Sequence, residues 1–342
     1  MTRPTQPAIG IDGMNLAIPR GTGVATYARS LSHCVGELGH PVDIVYGLDI
    51  AATNDQRLRE VQFLDLLENE RGRKVPKFPS VGWARQMLDA SLGLHATQIA
   101  LSDRTITTPL ASRLPRHDRI FNVQDLFGLA SRYFRNFGRF LRIRMEDPPA
   151  IMHWTYPVPV TMVGSKNLYT IHDLVPLRMP YTTLDNKDFH FRLLNACFRD
   201  ADHIVTVSET SRRDMLSFFP ELLPERITNT YQSVTVSPRA PAEIEAIVRG
   251  AFGLDLRSYF LFFGSIEPKK NVGRLLEGYL ASENTMPLVI IGARAWKAES
   301  ELALLKHRPA GDERIRQIDY VSADVLTALI GGARAVVFPS LY

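Results

Sequence analysis

Several things are scarce in this chain of 342 residues, and each scarcity closes a route. Cysteine occurs only at Cys34 and Cys197, too few for a disulfide framework and without the paired spacing of a zinc site. Both read as small buried apolar residues. No apolar run reaches the ~18 to 20 residues of a membrane span, and the opening MTRPTQPAIGID lacks the apolar core of a signal peptide, so a cytoplasmic protein is expected. No Gly-Lys dipeptide occurs, which disfavours a phosphate-loop NTPase. Gly10, Gly13, Gly21 and Gly23 do not have the Gly-x-Gly-x-x-Gly spacing of a nicotinamide dehydrogenase. The excess of one charge over the other is small too, with 40 Lys and Arg against 36 Asp and Glu. The net charge of +4 favours anionic partners such as phosphates or lipid headgroups without naming one, and no nucleic-acid partner is expected. No repeat of solenoid period and no low-complexity tract is present.

What is present is the composition of an ordinary globular protein, 45% hydrophobic and 22% charged, at a length for which two domains are the default. Apolar runs of strand length alternate with segments of helical period, the pattern of parallel sheets joined by helical crossovers. Strands are expected at AIGIDGMNL, PVDIVYGL, IMHWTY, NLYTIHDLV and HIVTVSE, with a helix over TGVATYARSLSHCVGELG; the stretch from Asn54 to Gly128 is less regular. SPRAPA, Ser237 to Ala242, carries two prolines and suits an extended connection. The expected domains are therefore 1–238 and 239–342. The second restarts the rhythm with YFLFFGSI, NVGRLLEGYLA, PLVIIG and IRQIDYV, and halts at Tyr342 after AVVFPS, so it reads as incomplete.

The junction Tyr259 to Tyr279 is the most chemical stretch. Its apolar run ends at Gly264-Ser265, where a buried parallel strand gives way to a loop, and ligands gather at such carboxyl ends. Lys269, Lys270 and Asn271 then stand at the mouth of the next helix, where free N–H groups and the helix dipole already favour an anion. The arrangement suits a diphosphate; the alternative is a solvated lysine pair beside a plain turn.

GSIEPKKNVGRLLEGY resembles the donor-binding junction of the retaining family 4 glycosyltransferases, whose usual form reads Gly-x-x-Glu-Pro-Arg-Lys-Asn. IDGMNLAIPRGTGVATYARSL, YTIHDLVPLRMP, ADHIVTVSETSRRDM and AVVFPSLY match other pieces of that family in order. The resemblance implies an α/β protein of GT-B architecture: two Rossmann-like domains facing each other across a cleft, the first on the acceptor side and the second holding the nucleotide sugar. Lys270 takes the place of the family's lysine and Lys269 that of its arginine, without the planar fork that grips two phosphate oxygens. These cations would stabilise charge on the departing diphosphate without a metal ion, and no cofactor is expected. Gly21, Thr22 and Gly23 resemble the loop whose backbone closes on the donor phosphates; His172 corresponds to the histidine that contacts the transferred sugar. Gly264, Ser265 and Asn271 complete the expected donor site. Family members continue past AVVFPSLY with two glutamates that hold donor hydroxyls, and the chain ends one residue before the first. A truncated or fragmentary GT-B protein that binds nucleotide or glycan weakly is therefore the first alternative.

The expected function is transfer of a sugar with retention, mannose from GDP-mannose by resemblance to mannosyltransferases of cell-surface polysaccharide assembly, with UDP-glucose as the other donor considered. The acceptor is a glycan or lipid-linked sugar. Asp200-Ala201-Asp202 fits the Asp-x-Asp pattern of a metal-dependent GT-A transferase, a second alternative, but precedes its strand rather than leaving it, and reads as turn acids. Asp12 and Asn15 read as loop caps, His153 as an acceptor contact or a structural residue, Asp173 as an orienting group or a cap, and Ser208-Glu209 as a helix cap. On a helical wheel through residues 126–144, Arg132, Arg135, Arg139 and Arg142 fall opposite Leu126, Ala130, Tyr133, Phe134, Phe137, Phe140 and Leu141. Such a helix could lie on an anionic membrane at its inner face.

Overall fold

The computed structural model describes residues 6–18, 23–51, 53–69, 80–111, 113–234, 238–307 and 314–342. By internal contacts the chain forms two units, Met1–Leu174 with Asn186–Ser233, and Val175–Asp185 with Val234–Tyr342. The short segment after His172 thus groups with the C-terminal residues.

The first unit is built on an eight-stranded sheet. Across it the order is Ile227–Asn229, His203–Thr206, Lys166–Thr170, Ile151–Trp154, Ile9–Asp12, Val42–Tyr46, Arg119–Asn122 and Thr97–Ile99. Every pairing is parallel except the outermost, between Thr97–Ile99 and Arg119–Asn122. Val42–Tyr46 is buried at every position, as expected of a central parallel strand covered on both faces. Ile11, Ile44, Tyr46, Phe63 and Leu67 belong to one core cluster around it, and fully burying an apolar side chain such as Ile, Leu or Phe contributes roughly 1.5–3 kcal/mol. From Ile9–Asp12 the chain first adds strands on one side and later, at Ile151–Trp154, on the other. The strand order therefore reverses between these two neighbours, and open α/β sheets bind ligands beyond the carboxyl ends of strands at such a point. A separate three-stranded sheet joins Leu94–His95, Leu141–Arg144 and Val160–Met162.

The second unit has a four-stranded parallel sheet in the order Ile315–Ile318, Leu288–Ile291, Phe260–Phe263, Ala335–Val336. Alternation along its strands sends Phe262 and Ile290 into one core layer with Val272 and Leu276. Leu261 and Val289 enter the opposite layer with Val248 and Leu329, the period-two pattern of a sheet covered on both faces.

One sequence expectation is corrected here. The helix beginning at Leu126 ends at Phe137, not near Arg144, because Gly138 adopts the left-handed conformation (φ 64°) that closes a helix. Arg142 lies on the strand Leu141–Arg144 and Arg139 on the connection before it. The apolar face of the helix is also occupied: Leu126, Leu129, Ala130, Tyr133 and Phe134 are buried, and Phe134 packs edge-on against Phe140 and Phe189. Apart from Phe137, which is half-exposed, that face is packed into the first unit and is not available to a bilayer.

Candidate functional site

At the reversal point of the first sheet a buried carboxylate ties two strand exits together. Asp12 is the last residue of its strand and is fully buried. It accepts hydrogen bonds from the Met14 amide (3.2 Å), the Thr155 hydroxyl (2.8 Å) and, very closely, the Thr155 amide. Burial raises its pKa above the usual aspartate range, against the pull of these donors. Thr155 in turn positions His172, whose Nε2 lies 2.9 Å from the Thr155 carbonyl oxygen. A carbonyl only accepts, so the proton resides on Nε2 and Nδ1 carries the lone pair. Burial lowers the pKa of His172, with the Thr155 carbonyl and the Asp173 charge pulling the other way. Gln232 Nε2 approaches Nδ1 at 3.4 Å, and the Ser211 hydroxyl donates to the His172 carbonyl at 2.7 Å. Two strand exits and a carboxylate therefore present one neutral imidazole with an acceptor nitrogen, suited to receive a hydrogen bond from a hydroxyl.

Around it stands a second layer of polar groups. His153 Nε2 lies 2.7 Å from Thr170 Oγ1, which lies 3.1 Å from the Tyr27 hydroxyl. The Tyr27 ring meets the His172 ring edge to face, with centroids 5.2 Å apart. Burial, and secondarily the neighbouring His172, lower the pKa of His153 to about 4, so both imidazoles are neutral at neutral pH.

The second unit offers a different kind of strand exit. Gly264 has φ 139°, a conformation that only glycine adopts readily. A Cβ added to Gly292, at the exit of the neighbouring strand, would fall on the Gly264 carbonyl oxygen. The two exits meet through bare backbone. Ser265 donates from its hydroxyl to Glu267 Oε1 (2.6 Å), and Lys269 Nζ lies 3.5 Å from the same oxygen. Pro268–Lys270 forms a single 3-10 turn, and Asn271, left-handed at φ 57° and ψ 36°, breaks it from the helix Val272–Ala281. The turn is clamped from behind. The Leu341 amide donates to the Lys269 carbonyl (3.0 Å) and the Asn271 side chain to the Pro339 carbonyl (3.1 Å). The helix mouth differs from the expected free donor cluster, because the Gly273 amide donates to the Glu301 carboxylate at 2.9 Å. What the turn presents to an anion is side-chain charge. Among the described residues no carboxylate forms an ion pair with Lys270.

No family model matches the chain. Over 180 residues it is 32% identical to O-antigen chain mannosyltransferase B of Escherichia coli, a match spanning 51% of this chain and 46% of that one. Over 207 residues it is 22% identical to the serotype-specific mannosyltransferase WbdA of Escherichia coli, 54% of this chain and 25% of the other. The matches thus span half or less of these curated relatives. Among solved structures, HepE of Anabaena in complex with UDP and glucose superimposes with a TM-score of 0.55 at 10% identity, over 98% of this chain and 74% of that one. Sucrose-phosphate synthase of Thermosynechococcus elongatus gives a TM-score of 0.57 at 13% identity, over 98% and 76%. The chain has the GT-B fold.

Within that fold the expected residues fall into two groups and a gap. His172 lies in the first unit; Gly264, Ser265, Lys269, Lys270 and Asn271 line one strand exit in the second. Gly21 and Thr22 lie outside the described residues, and Gly23 opens the helix Gly23–Glu37. Asp12 caps its loop through the Met14 amide, as expected, but its main partner is Thr155. Ser208 caps the helix Glu209–Phe218, accepting from the Ser211 amide at 3.0 Å. The Asp-x-Asp alternative does not hold. Asp200 is paired with Arg199 (2.7 Å), and Asp202 with Lys166 Nζ and the Asn167 amide (2.8 Å each), so both carboxylates already have cationic partners. Sequence reasoning missed Tyr27, Thr155, Thr170 and Gln232. Only Gly292, at the end of PLVIIG, had a visible signal: a glycine closing an apolar run as Gly264 does.

Proposed function

We propose that the chain is a glycosyltransferase that moves mannose from GDP-mannose, with retention, onto a glycan or lipid-linked acceptor in cell-surface polysaccharide assembly at the inner face of the membrane. The first unit takes the acceptor side and the second the donor. The observation that carries this reading is the exit at Gly264, where backbone without side chains leads directly into a turn bearing Lys269 and Lys270. A diphosphate can approach such backbone closely, and the two ammonium groups neutralise the charge that grows on it as the anomeric bond breaks. His172, proton on Nε2, would accept a hydrogen bond at Nδ1 from a hydroxyl of the transferred sugar. The mannosyltransferase names of the relatives support mannose, and the lysine pair supports a mechanism in which fixed cations take a metal ion's role.

Calorimetry with GDP-mannose and UDP-glucose in the presence of EDTA tests the donor. Transfer from labelled GDP-mannose to a mannosyl acceptor, with the product's anomeric configuration read by NMR, tests the reaction. Tighter binding of GDP-mannose and an α-linked product are expected. Preference for UDP-glucose would change the donor, an inverted product would remove retention, and binding of neither nucleotide sugar would remove the reading.

A further inference from the structure

His172 lies just past the strand Lys166–Thr170, on chain without helix or strand. Its backbone is held there: the Ile171 amide donates to the Val205 carbonyl at 2.9 Å and the Ser211 hydroxyl to the His172 carbonyl at 2.7 Å. The ring is held less completely. Rotation of an imidazole about its last side-chain bond is broad rather than confined to staggered wells, and the one hydrogen bond from Nε2 to the Thr155 carbonyl lets the ring swing about it. A swing of a few tens of degrees carries the Nδ1 lone pair out of line with a donor, and hydrogen bonds weaken steeply as they bend. Gln232, 3.4 Å from Nδ1 and exposed, is too loose a neighbour to prevent it.

Tyr27 supplies the missing restraint. It stands on the helix Gly23–Glu37, where the buried Ala25 and Ala28 seat the backbone closely on the first unit. Its ring meets that of His172 at 86° with centroids 5.2 Å apart, and that of His153 at 71° with centroids 6.2 Å apart. One phenol thus braces two imidazoles. Edge-to-face contacts of this kind are favourable by about 0.5–1.5 kcal/mol beyond the area they bury. The far end of the ring is fixed as well. A half-buried tyrosine ordinarily turns its polar tip to water, whereas Tyr27 turns its hydroxyl to the fully buried Thr170 at 3.1 Å, with the Thr230 side chain as a second partner. Thr170 Oγ1 is in turn 2.7 Å from His153 Nε2. A threonine hydroxyl has one proton to give, so at least one of these two neighbours donates to it.

We propose that Tyr27 is a positioning residue for sugar transfer: its ring fixes the plane of the His172 imidazole, and its hydroxyl, through Thr170, fixes the ring. The proposal rests on the reading that Nδ1 of His172 receives a hydroxyl of the transferred sugar, and adds the group that aims it. Misplacing such a contact by about 1 Å costs on the order of 10²-fold in rate, which sets the expected scale.

Tyr27→Leu removes the ring and Tyr27→Phe only the hydroxyl; both are tested in the full chain, below its melting range. Nitrogen NMR of the labelled imidazoles reads His172 without any substrate. In the parent, Nδ1 should resonate as an unprotonated nitrogen and Nε2 as a protonated one. In Tyr27→Leu the two signals should move towards each other, as a ring that has left the Thr155 carbonyl exchanges between its tautomers; in Tyr27→Phe they should move slightly. Transfer from labelled GDP-mannose should fall about 10²-fold in kcat for Tyr27→Leu and about fivefold for Tyr27→Phe, with KM for the donor little changed. Added to His172→Ala, either variant should cost nothing further, since a residue acting through His172 then has nothing to position. Where Tyr27→Leu melts early, Tyr27→Phe carries the same comparison. His172 signals in both variants identical to the parent's, or losses that add fully to that of His172→Ala, overturn the proposal. The expected NMR response in a chain that transfers no sugar would uphold the positioning and count against the proposed reaction instead.

Discussion

The two sheets end in opposite ways. At the carboxyl edge of the first, polar side chains are sunk into the protein and hold one another. Asp12, Thr155 and Thr170 are fully buried and His153 nearly so, and hydrogen bonds run from Asp12 through Thr155 to Nε2 of His172. At the carboxyl edge of the second the groups are backbone and half-buried lysines on a short turn. The difference shows that one architecture can offer either shape or charge at the same edge. On the proposed function, a preorganised cluster would select hydroxyl geometry and a cationic turn an anion of loosely specified shape. It also separates the consequences of damage: substitutions in the first cluster should cost stability and function together, and those on the turn function alone.

That separation can be broken by experiment. The largest effect is expected from Lys269→Ala with Lys270→Ala, a fall of about 10²–10³ in transfer rate with an unchanged melting temperature. A comparable loss of thermal stability would mean that the turn is structural. Next comes acid sensitivity. Burial holds the folded pKa of His153 near 4, below its ordinary 6.5, so between these values the unfolded chain binds more protons. Stability present above about pH 6.5 is therefore lost as the pH falls through that window, by up to ~3 kcal/mol. Urea melts across it should steepen for the parent and flatten for His153→Gln; parallel curves would show that His153 carries no such linkage. Asp12→Ala strips acceptors from the buried Thr155 amide and hydroxyl and should cost about 2 kcal/mol, measured as a lower urea midpoint, with transfer reduced further because Thr155 no longer holds His172. The smallest effect belongs to Gln232→Ala. Its 3.4 Å approach to His172 is long and exposed, and a stability change within about 0.5 kcal/mol is expected; a larger one would place Gln232 inside the cluster.

Much of the second edge was legible in the sequence because its parts are contiguous. Tyr259 to Tyr279 contains strand, glycine exit, lysine turn and helix in one run, each marked by its own period or breaker. The helix mouth was the exception, since Glu301 reaches the Gly273 amide from 28 residues away. The first edge was legible only in pieces. His172 was visible beside a strand, but the Asp12–Thr155 bond joins residues 143 apart, and no local pattern announces it. One helix misled. The wheel through residues 126–144 ran past Gly138, whose positive φ ends the helix, and so placed strand and loop arginines on a helical face. The helix Val81–Leu92 lies in the stretch that read as less regular, and it turns Val81, Leu88 and Leu92 outward, so its apolar positions give no clean single-faced period.

The bare contact between Gly264 and Gly292 has a practical corollary. On the proposed donor assignment, a library aimed at new donor preference gains nothing by varying position 292, where the Cβ of any side chain would fall on the Gly264 carbonyl oxygen. Diversity belongs instead at Ser265, the next residue after Gly264, whose hydroxyl is tied only to Glu267.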